Sequence, residues 1–218
     1  MKKDPFIPAS YYHVYNRGNN RERIFYLNDN YRYFLEKFNQ RMKNHLSMIA
    51  FCLLPNHFHF LIKTNNEISA KEISNDFRCL FLAYSMAINK QENRSGSLFQ
   101  KPFKRKIITT EKQLLVAIYY IHLNMVKHGL SLDYQNYAWS SYKMITDGDS
   151  RYLNPEFCLK IFGGKKQFMD MHKEAFKDRA NLFGEKDEVS STADGILSLG
   201  KDAISSERWH PLNFTTNK

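Results

Sequence analysis

The 218-residue sequence lacks an apolar run long enough to cross a membrane. Its longest such run, Met48 to Leu54, is far shorter than the roughly 20 residues that a spanning helix needs. The start of the chain, from Met1 to Pro5, does not have the apolar stretch of a secretory signal. We therefore expect a cytoplasmic protein that does not enter a membrane.

Cysteine is also scarce, with only Cys52, Cys79 and Cys158 in the whole sequence. An odd number at scattered positions provides neither a disulfide framework nor the paired spacing of a zinc knuckle. Cys52 lies in an apolar strand pattern, where a free thiol behaves as a small hydrophobic side chain. We expect free thiols, which suits a reducing compartment.

Positive charge and aromatic rings are plentiful. The chain carries a net charge of +10, and aromatic residues make up 15% of it. The polar segment 183–218 contains six acidic and four basic residues, so the positive charge belongs to the part of the chain before it. A basic folded domain attracts polyanions, of which nucleic acid is the commonest.

Hydrophobic patterns along the chain predict the order β-α-β-β-α-β-α before residue 130. Segments 11–16, 46–54 and 57–64 have the composition of strands, and 98–108 is a basic strand or ribbon. Segments 28–44, 69–90 and 110–128 have apolar residues at helical spacing. This order predicts an α+β fold, with a ferredoxin-like antiparallel sheet and helices on one face.

The division of the chain into parts follows from the same patterns. We expect the main folded domain over residues 1–145 and a helical extension over residues 146–182. A polar and flexible tail is expected over residues 183–218, because serine and charged residues dominate there.

His57 and His59 are two residues apart in a predicted strand, so both imidazoles project from one face. Two adjacent imidazoles can hold a metal ion if a third ligand is available. Imidazole pairs favour zinc and other transition metals, whereas phosphate oxygens would favour magnesium or manganese. Because His-x-His also arises by chance, the motif alone leaves ordinary strand histidines as the alternative.

Tyr120 and Asn124 are four residues apart on a helix that begins at Thr109 or Thr110 and extends to about His128. Their side chains therefore share one face. A phenol can attack phosphorus and conserve the bond energy in a covalent adduct, although its pKa of about 10 keeps it protonated at neutral pH. The amide oxygen of Asn124 is a candidate third metal ligand. The alternative is a half-buried structural tyrosine.

Two neighbours of this pair are set aside on spacing. Tyr119 has Leu123 four residues later, and leucine offers no ligand. His122 lies roughly opposite Tyr120 on the helix, and we expect it on the surface.

Five segments, taken together, resemble the HUH single-tyrosine (IS200-like) transposases, and in particular the REP-associated tyrosine transposases. They are Tyr12–Gly18, Leu54–Leu61, Phe99–Lys104, Tyr120–Asn124 and Tyr137–Tyr142. They follow the order and spacing of the family over about residues 8–145. Met125 is a departure, since many members have proline there, and it bears on helix geometry more than on chemistry. The resemblance does not extend past about residue 150.

The resemblance implies an enzyme that cleaves and rejoins single-stranded DNA through a 5′-phosphotyrosine. His57 and His59 match the metal-binding histidines, Tyr120 matches the nucleophile, and Asn124 matches the polar residue one turn later. The implied cofactor is a divalent metal ion, magnesium or manganese. The implied partner is single-stranded or hairpin DNA, bound by a monomer or a homodimer.

Basic residues in two segments are candidates for DNA binding, because cations contact phosphates while aromatic rings stack on bases. They are Arg17, Arg21, Arg23, Lys101, Lys104, Arg105 and Lys106. The alternative is a solvated ribbon whose phenylalanines belong to the core.

Three other functions remain possible at this stage. A domesticated relative would hold hairpin nucleic acid without cutting it. A zinc-dependent hydrolase would need a general-base carboxylate near the metal, and the segment from Pro55 to Leu61 has none. A relaxase or replication initiator shares the chemistry but usually has the histidines and tyrosine in another order.

Overall fold

The computed structural model describes residues 4–178, which form four strands and seven helices. The strands are β1 (Tyr11–Arg17), β2 (Leu46–Leu54), β3 (His57–Thr64) and β4 (Lys104–Ile108). The helices are α1 (Asn28–Met42), α2 (Ala70–Gln91), α3 (Glu111–His122), α4 (Asn124–Lys127), α5 (Ser141–Asp147), α6 (Pro155–Ile161) and α7 (Lys165–Lys177). No helix in this part of the chain is both long and apolar enough to span a membrane. The predicted tail, 183–218, lies outside the described residues.

The four strands form one antiparallel sheet in the order β2-β3-β1-β4. The first and third strands of the predicted order, β1 and β3, therefore lie side by side in the middle. This arrangement confirms the predicted α+β class and the ferredoxin-like order of elements. The basic segment before β4 is mostly irregular, with one isolated bridge between Gly18 and Phe99.

Side chains of β3 alternate between the two faces of the sheet. Phe58 packs against Phe34 of α1 and Phe81 of α2, with ring centroids 5.1 and 5.8 Å apart. The next side chain, His59, points to the other face, where the Tyr120 ring of α3 lies 5.6 Å away. The predicted placement of helices on one face therefore holds for α1 and α2, and α3 covers the opposite face.

The C-terminal helices pack against α3 and bury the face that points away from the site. The ring of His172 in α7 lies 5.0 Å from that of His122, and both residues are fully buried. The prediction that His122 lies on the surface was therefore wrong, because helical periodicity does not show what a later segment of the chain will cover. The helical character predicted for 146–182 agrees with α6 and α7 as far as residue 178, and the boundary at residue 145 stays a prediction.

A chain of hydrogen bonds runs through this buried contact. His172 Nδ1 donates to the carbonyl oxygen of Phe168 at 2.7 Å, so its Nε2 is left to accept from His122 Nδ1 at 2.8 Å. His122 Nε2 then accepts from the Ser141 hydroxyl at 2.7 Å, and the Ser141 oxygen accepts from the backbone N–H of Phe51 at 2.8 Å. The direction follows because a carbonyl can only accept. All partners are satisfied only while both rings are neutral.

We expect the free energy of unfolding to decrease between pH 7.5 and pH 5.5, in part because of His172. Burial lowers the pKa of His172 to about 3, whereas in the unfolded chain it titrates near 6.5. The unfolded state therefore gains a proton first as the pH falls. The contribution is present above about pH 6.5 and is lost towards pH 3, at up to roughly 1.4 kcal/mol per pH unit.

Urea unfolding at the two pH values measures this loss, with His172→Phe as the comparison. The variant keeps an aromatic ring but has no group that gains the proton. Its stability at pH 7.5 should be lower by about 1–3 kcal/mol, because the buried His122 N–H loses its acceptor. Its further loss at pH 5.5 should be smaller than that of the wild type by roughly 1 kcal/mol. Equal losses in the two proteins would contradict the role of His172.

Candidate active site

The two predicted metal ligands lie at the start of β3, directly after the turn formed by Pro55 and Asn56. His57 and His59 are each 6% exposed. Their ring centroids lie 5.2 Å apart, with the ring planes nearly perpendicular. As predicted, the alternation of β3 places both imidazoles on the same face, the one covered by α3.

Hydrogen bonds at the Nδ1 atoms orient both imidazoles. His57 Nδ1 lies 2.6 Å from the Asn56 side-chain oxygen, which can only accept, so Nδ1 carries the proton and Nε2 keeps a lone pair. That Nε2 lies 3.3 Å from the Asn124 side-chain oxygen. His59 Nδ1 lies 2.9 Å from Nε2 of the buried His13. When His13 accepts this bond, His59 also has its Nε2 lone pair available.

Tyr120 and Asn124 approach the two imidazoles from the helices that cover this face of the sheet. The predicted continuous helix is interrupted at Leu123, so α3 ends at His122 and Asn124 begins α4. The Tyr120 ring remains edge-on to the rings of His59 and His13, at 5.6 and 6.0 Å. The structure therefore brings together the four residues predicted for catalysis and metal binding.

The neighbouring tyrosine does not compete for the site. Tyr119 is 4% exposed, and its ring lies 4.8 Å from His172 and 5.6 Å from Phe162. It therefore faces the C-terminal helices, on the side of α3 away from the histidine pair.

Electrostatics at the site favour neutral imidazoles and a protonated phenol. Burial lowers the pKa of His57 to about 3 and lowers that of His59 well below its usual value. Burial also raises the pKa of Tyr120, while the Asn124 side chain and the charge of Arg17 lower it. The histidines can thus act as ligands at neutral pH, and the phenol needs further help to lose its proton.

The donor set fits a divalent metal ion. Two imidazole nitrogens and one amide oxygen converge, which suits manganese or zinc directly and magnesium when phosphate oxygens join them. Among residues 4–178, no group of three or more histidine, cysteine or acidic residues is placed to hold a metal ion. The set therefore depends on Asn124 and on oxygens that a substrate would bring.

Comparison with known proteins agrees with this arrangement. The sequence profile of the family described as transposase IS200-like matches residues 7–124, which is more than half of the chain and includes the four site residues. The chain belongs to this family. The resemblance predicted from the five segments is thereby confirmed.

Two relatives of this chain are REP-associated tyrosine transposases by name. One, from Haemophilus influenzae, is 26% identical over 125 residues, which cover 54% of this chain and 71% of that protein. The other is the solved structure of a REP-associated tyrosine transposase bound to a REP hairpin. It superposes with a TM-score of 0.56 at 18% identity, over 67% of this chain and 84% of that chain. At this identity the superposition shows a shared fold.

Several residues reach the site without having been predicted there. The β1–β3 register pairs Tyr15 with His59, and the two rings lie 5.8 Å apart. His13, two residues earlier, lies on the same face, and the exposed His128 has its ring 4.6 Å from that of His57. Spacing could have shown that His13 and Tyr15 share a face. The pairing of β1 with β3 is what brings that face to the histidines.

Three of the seven predicted DNA-binding residues lie on the site face. Arg17 is paired with His57 across β1 and β3, and Lys104 and Lys106 of β4 are paired with site-facing residues of β1. Directly paired residues of an antiparallel sheet point to the same side. These three cations therefore lie on the face of the histidine pair, with Arg17 on the neighbouring strand and the two lysines one strand further away.

Arg105 lies on the opposite face of the sheet. Its guanidinium stacks 4.3 Å from the Phe6 ring and donates to the backbone oxygen of Asp4 at 2.5 Å. The alternation of β4 separates it from Lys104 and Lys106. The structure thus does not bring Arg105 to the site, and packing with the N-terminal segment accounts for it.

Of the other three basic residues, Arg21 ends a short 3-10 helix (Asn19–Arg21), and Arg23 and Lys101 lie in loops. Arg21 is exposed and lies near Arg17. Burial lowers the pKa of Arg17, and the charge of Arg21 lowers it further. Arg23 and Lys101 are also exposed. Their contact with DNA stays a prediction.

Proposed function

We propose that this chain cleaves and rejoins single-stranded DNA through a 5′-phosphotyrosine on Tyr120. The observation that carries the proposal is the meeting of Tyr120 and Asn124 with His57 and His59 on one buried face. Membership of a transposase family supports the reaction class. The relative that binds a REP hairpin supports hairpin or palindromic DNA as the substrate class.

In the proposed reaction the Tyr120 oxygen attacks the scissile phosphorus in line with the departing oxygen. A bond forms between the phenol oxygen and phosphorus, and the bond from phosphorus to the 3′ oxygen breaks. The phenol loses one proton and the departing oxygen gains one, so the step is balanced without ATP. A 3′-OH from another strand reverses it and joins a new partner.

His57, His59 and Asn124 would hold a divalent ion, as the donor set allows. Such an ion supplies charge neutralisation at the phosphate when it is bound. Asn56 keeps His57 in the tautomer that a ligand needs, and His13 would do the same for His59 when its Nε2 accepts the bond. All of these residues lie in one chain, so we propose that a monomer contains a complete site.

The DNA backbone would approach over the edge strand β4. Lys104 and Lys106 offer phosphate contacts on the site face, and Lys104 Nζ also lies 5.9 Å from the Tyr15 ring. Tyr15 is half-buried and can stack on a base beside the histidines. Arg17 continues this basic border to the end of β1. A cytoplasmic place of action remains the prediction made from the sequence.

Incubation with hairpin oligonucleotides labelled at one end tests this function. Wild-type protein and manganese or magnesium should give a protein-linked band on a denaturing gel. A 5′-phosphotyrosine retains the fragment with the 3′ label and releases the 5′-labelled fragment. A chelator should abolish the band. Hairpin binding without an adduct, across targets and metals, would instead favour the domesticated binding protein.

Asn56→Ala is expected to weaken manganese binding by about 10-fold or more. Removing an outer hydrogen bond to a ligating histidine typically costs 10–100-fold in metal affinity. Asn65→Ala at the other end of β3 is the matched control, because Asn65 donates to the Asn44 backbone far from the site. Electron paramagnetic resonance titration of free manganese measures both dissociation constants. Equal affinities in the two variants would show that Asn56 does not support a metal ligand.

A further inference from the structure

Lys127, the last residue of α4, lies close to the candidate nucleophile and to the histidine pair. Its ammonium nitrogen is 5.3 Å from the centroid of the Tyr120 ring. Burial is the main cause of the low pKa values of His57 and His59, and the Lys127 charge lowers both further. One cation is therefore close to all three groups.

Local structure explains this placement. Lys127 comes seven residues after Tyr120, so two helical turns return it to the same face. The Lys127 backbone N–H bonds to the Leu123 carbonyl at 3.1 Å, which keeps this turn helical after the interruption. Long helical side chains lean towards the N-terminus. The lysine stem therefore extends back over the tyrosine ring.

We propose that Lys127 is a catalytic residue that binds a non-bridging oxygen of the scissile phosphate. The proposal rests on the proposed function of the site and adds a residue to it. Lys127 makes its strongest contact as negative charge builds on the pentacovalent phosphorus. It acts on the reacting phosphate, whereas Lys104 and Lys106 act on the DNA backbone beside it.

The position of the phosphate follows from the groups it must touch. In-line attack places phosphorus within bonding reach of the Tyr120 oxygen, and a divalent ion held by His57 and His59 would attract a phosphate oxygen. Lys127 lies close to all three residues. Arg17 of β1 is also near, and its charge acts on Tyr120. A charge-assisted hydrogen bond in this buried setting is stronger in the transition state than in the bound substrate.

Single-turnover adduct formation at saturating hairpin DNA is the first measurement. We expect Lys127→Met to lower the rate about 100-fold, which is typical for the loss of one preorganised donor to a developing charge. Lys127→Arg should restore most of it. The dissociation constant for DNA should rise by about 10-fold, which saturation offsets, and that for manganese should change by less than about 5-fold. Lys112→Met, more than two turns before Tyr120 on α3, is the matched control and should keep the wild-type rate.

The second measurement needs no cleavage. In a Tyr120→Phe background, hairpins carrying one neutral methylphosphonate are scanned across the linkages beside the stem. One linkage should weaken binding about 10-fold when its charge is removed. In the Tyr120→Phe, Lys127→Met double variant, the same linkage should have almost no effect, because its cationic partner is gone.

Two results would overturn the proposal. One is a wild-type rate for Lys127→Met at saturating DNA. The other is a methylphosphonate penalty that is the same with and without Lys127 at every linkage. Absence of an adduct in the wild type would count against the proposed function alone, since the binding scan still decides whether Lys127 contacts a phosphate.

Discussion

Tyr120→Phe is expected to abolish the covalent protein–DNA product while hairpin binding is preserved. The substitution removes the phenol oxygen and retains the ring, which lies edge-on to His59 and His13. Removal of the nucleophile from covalent enzymes lowers the rate by up to roughly 10⁶-fold, so the product should fall below detection. Denaturing gels measure the adduct, and fluorescence anisotropy of labelled hairpins measures binding.

Two other tyrosines make matched controls. Tyr119→Phe removes a buried hydroxyl that has no hydrogen-bond partner among the described residues, so activity should be retained. Tyr15 is the more serious alternative nucleophile, because it lies close to the site. Its ring is 5.8 Å from that of His59, and it is near enough to Tyr120 to raise the pKa of that phenol beyond what burial alone does. We expect Tyr15→Phe to keep the adduct. Loss in Tyr15→Phe together with survival in Tyr120→Phe would make Tyr15 the nucleophile.

His57→Ala and His59→Ala should each weaken manganese binding by about 100-fold or more. The estimate follows because outer-shell substitutions alone cost 10–100-fold, and these variants remove a ligand itself. Adduct formation should fall in parallel at limiting metal. Titration of free manganese by electron paramagnetic resonance gives the affinity without any reaction.

His45→Ala is the control for these variants. His45 lies outside the site and is paired with Asp76 at 3.3 Å, so its loss should leave the manganese affinity unchanged. If His57→Ala and His59→Ala also bind manganese as the wild type does, the imidazole pair is not the metal site. The two rings would then be structural strand histidines, which is the alternative that the motif alone left open.

Periodicity within single elements predicted which candidate side chains share a face. A repeat of two places His57 and His59 on one face, and a repeat of about four places Tyr120 beside Asn124. These relations are local, so they depend only on the type of element. The order of strands and helices predicted the α+β fold for the same reason, and the five-segment resemblance joined the two pairs into one site.

Long-range packing supplied what periodicity could not. The strand register brings His13 within hydrogen-bonding distance of His59 and places Arg17 beside His57, across 46 and 40 residues of sequence. The C-terminal helices bury His122 together with Ile118 and Tyr119, which lie four and three residues before it on the same face of α3.

The pairing of β4 with β1 similarly sends Lys104 towards the site and Arg105 away from it. The two residues are adjacent and both basic, so composition gave them the same role. A one-residue shift in register would exchange their faces. Register is set by contacts between distant segments, which is why the assignment of individual cations required the folded chain.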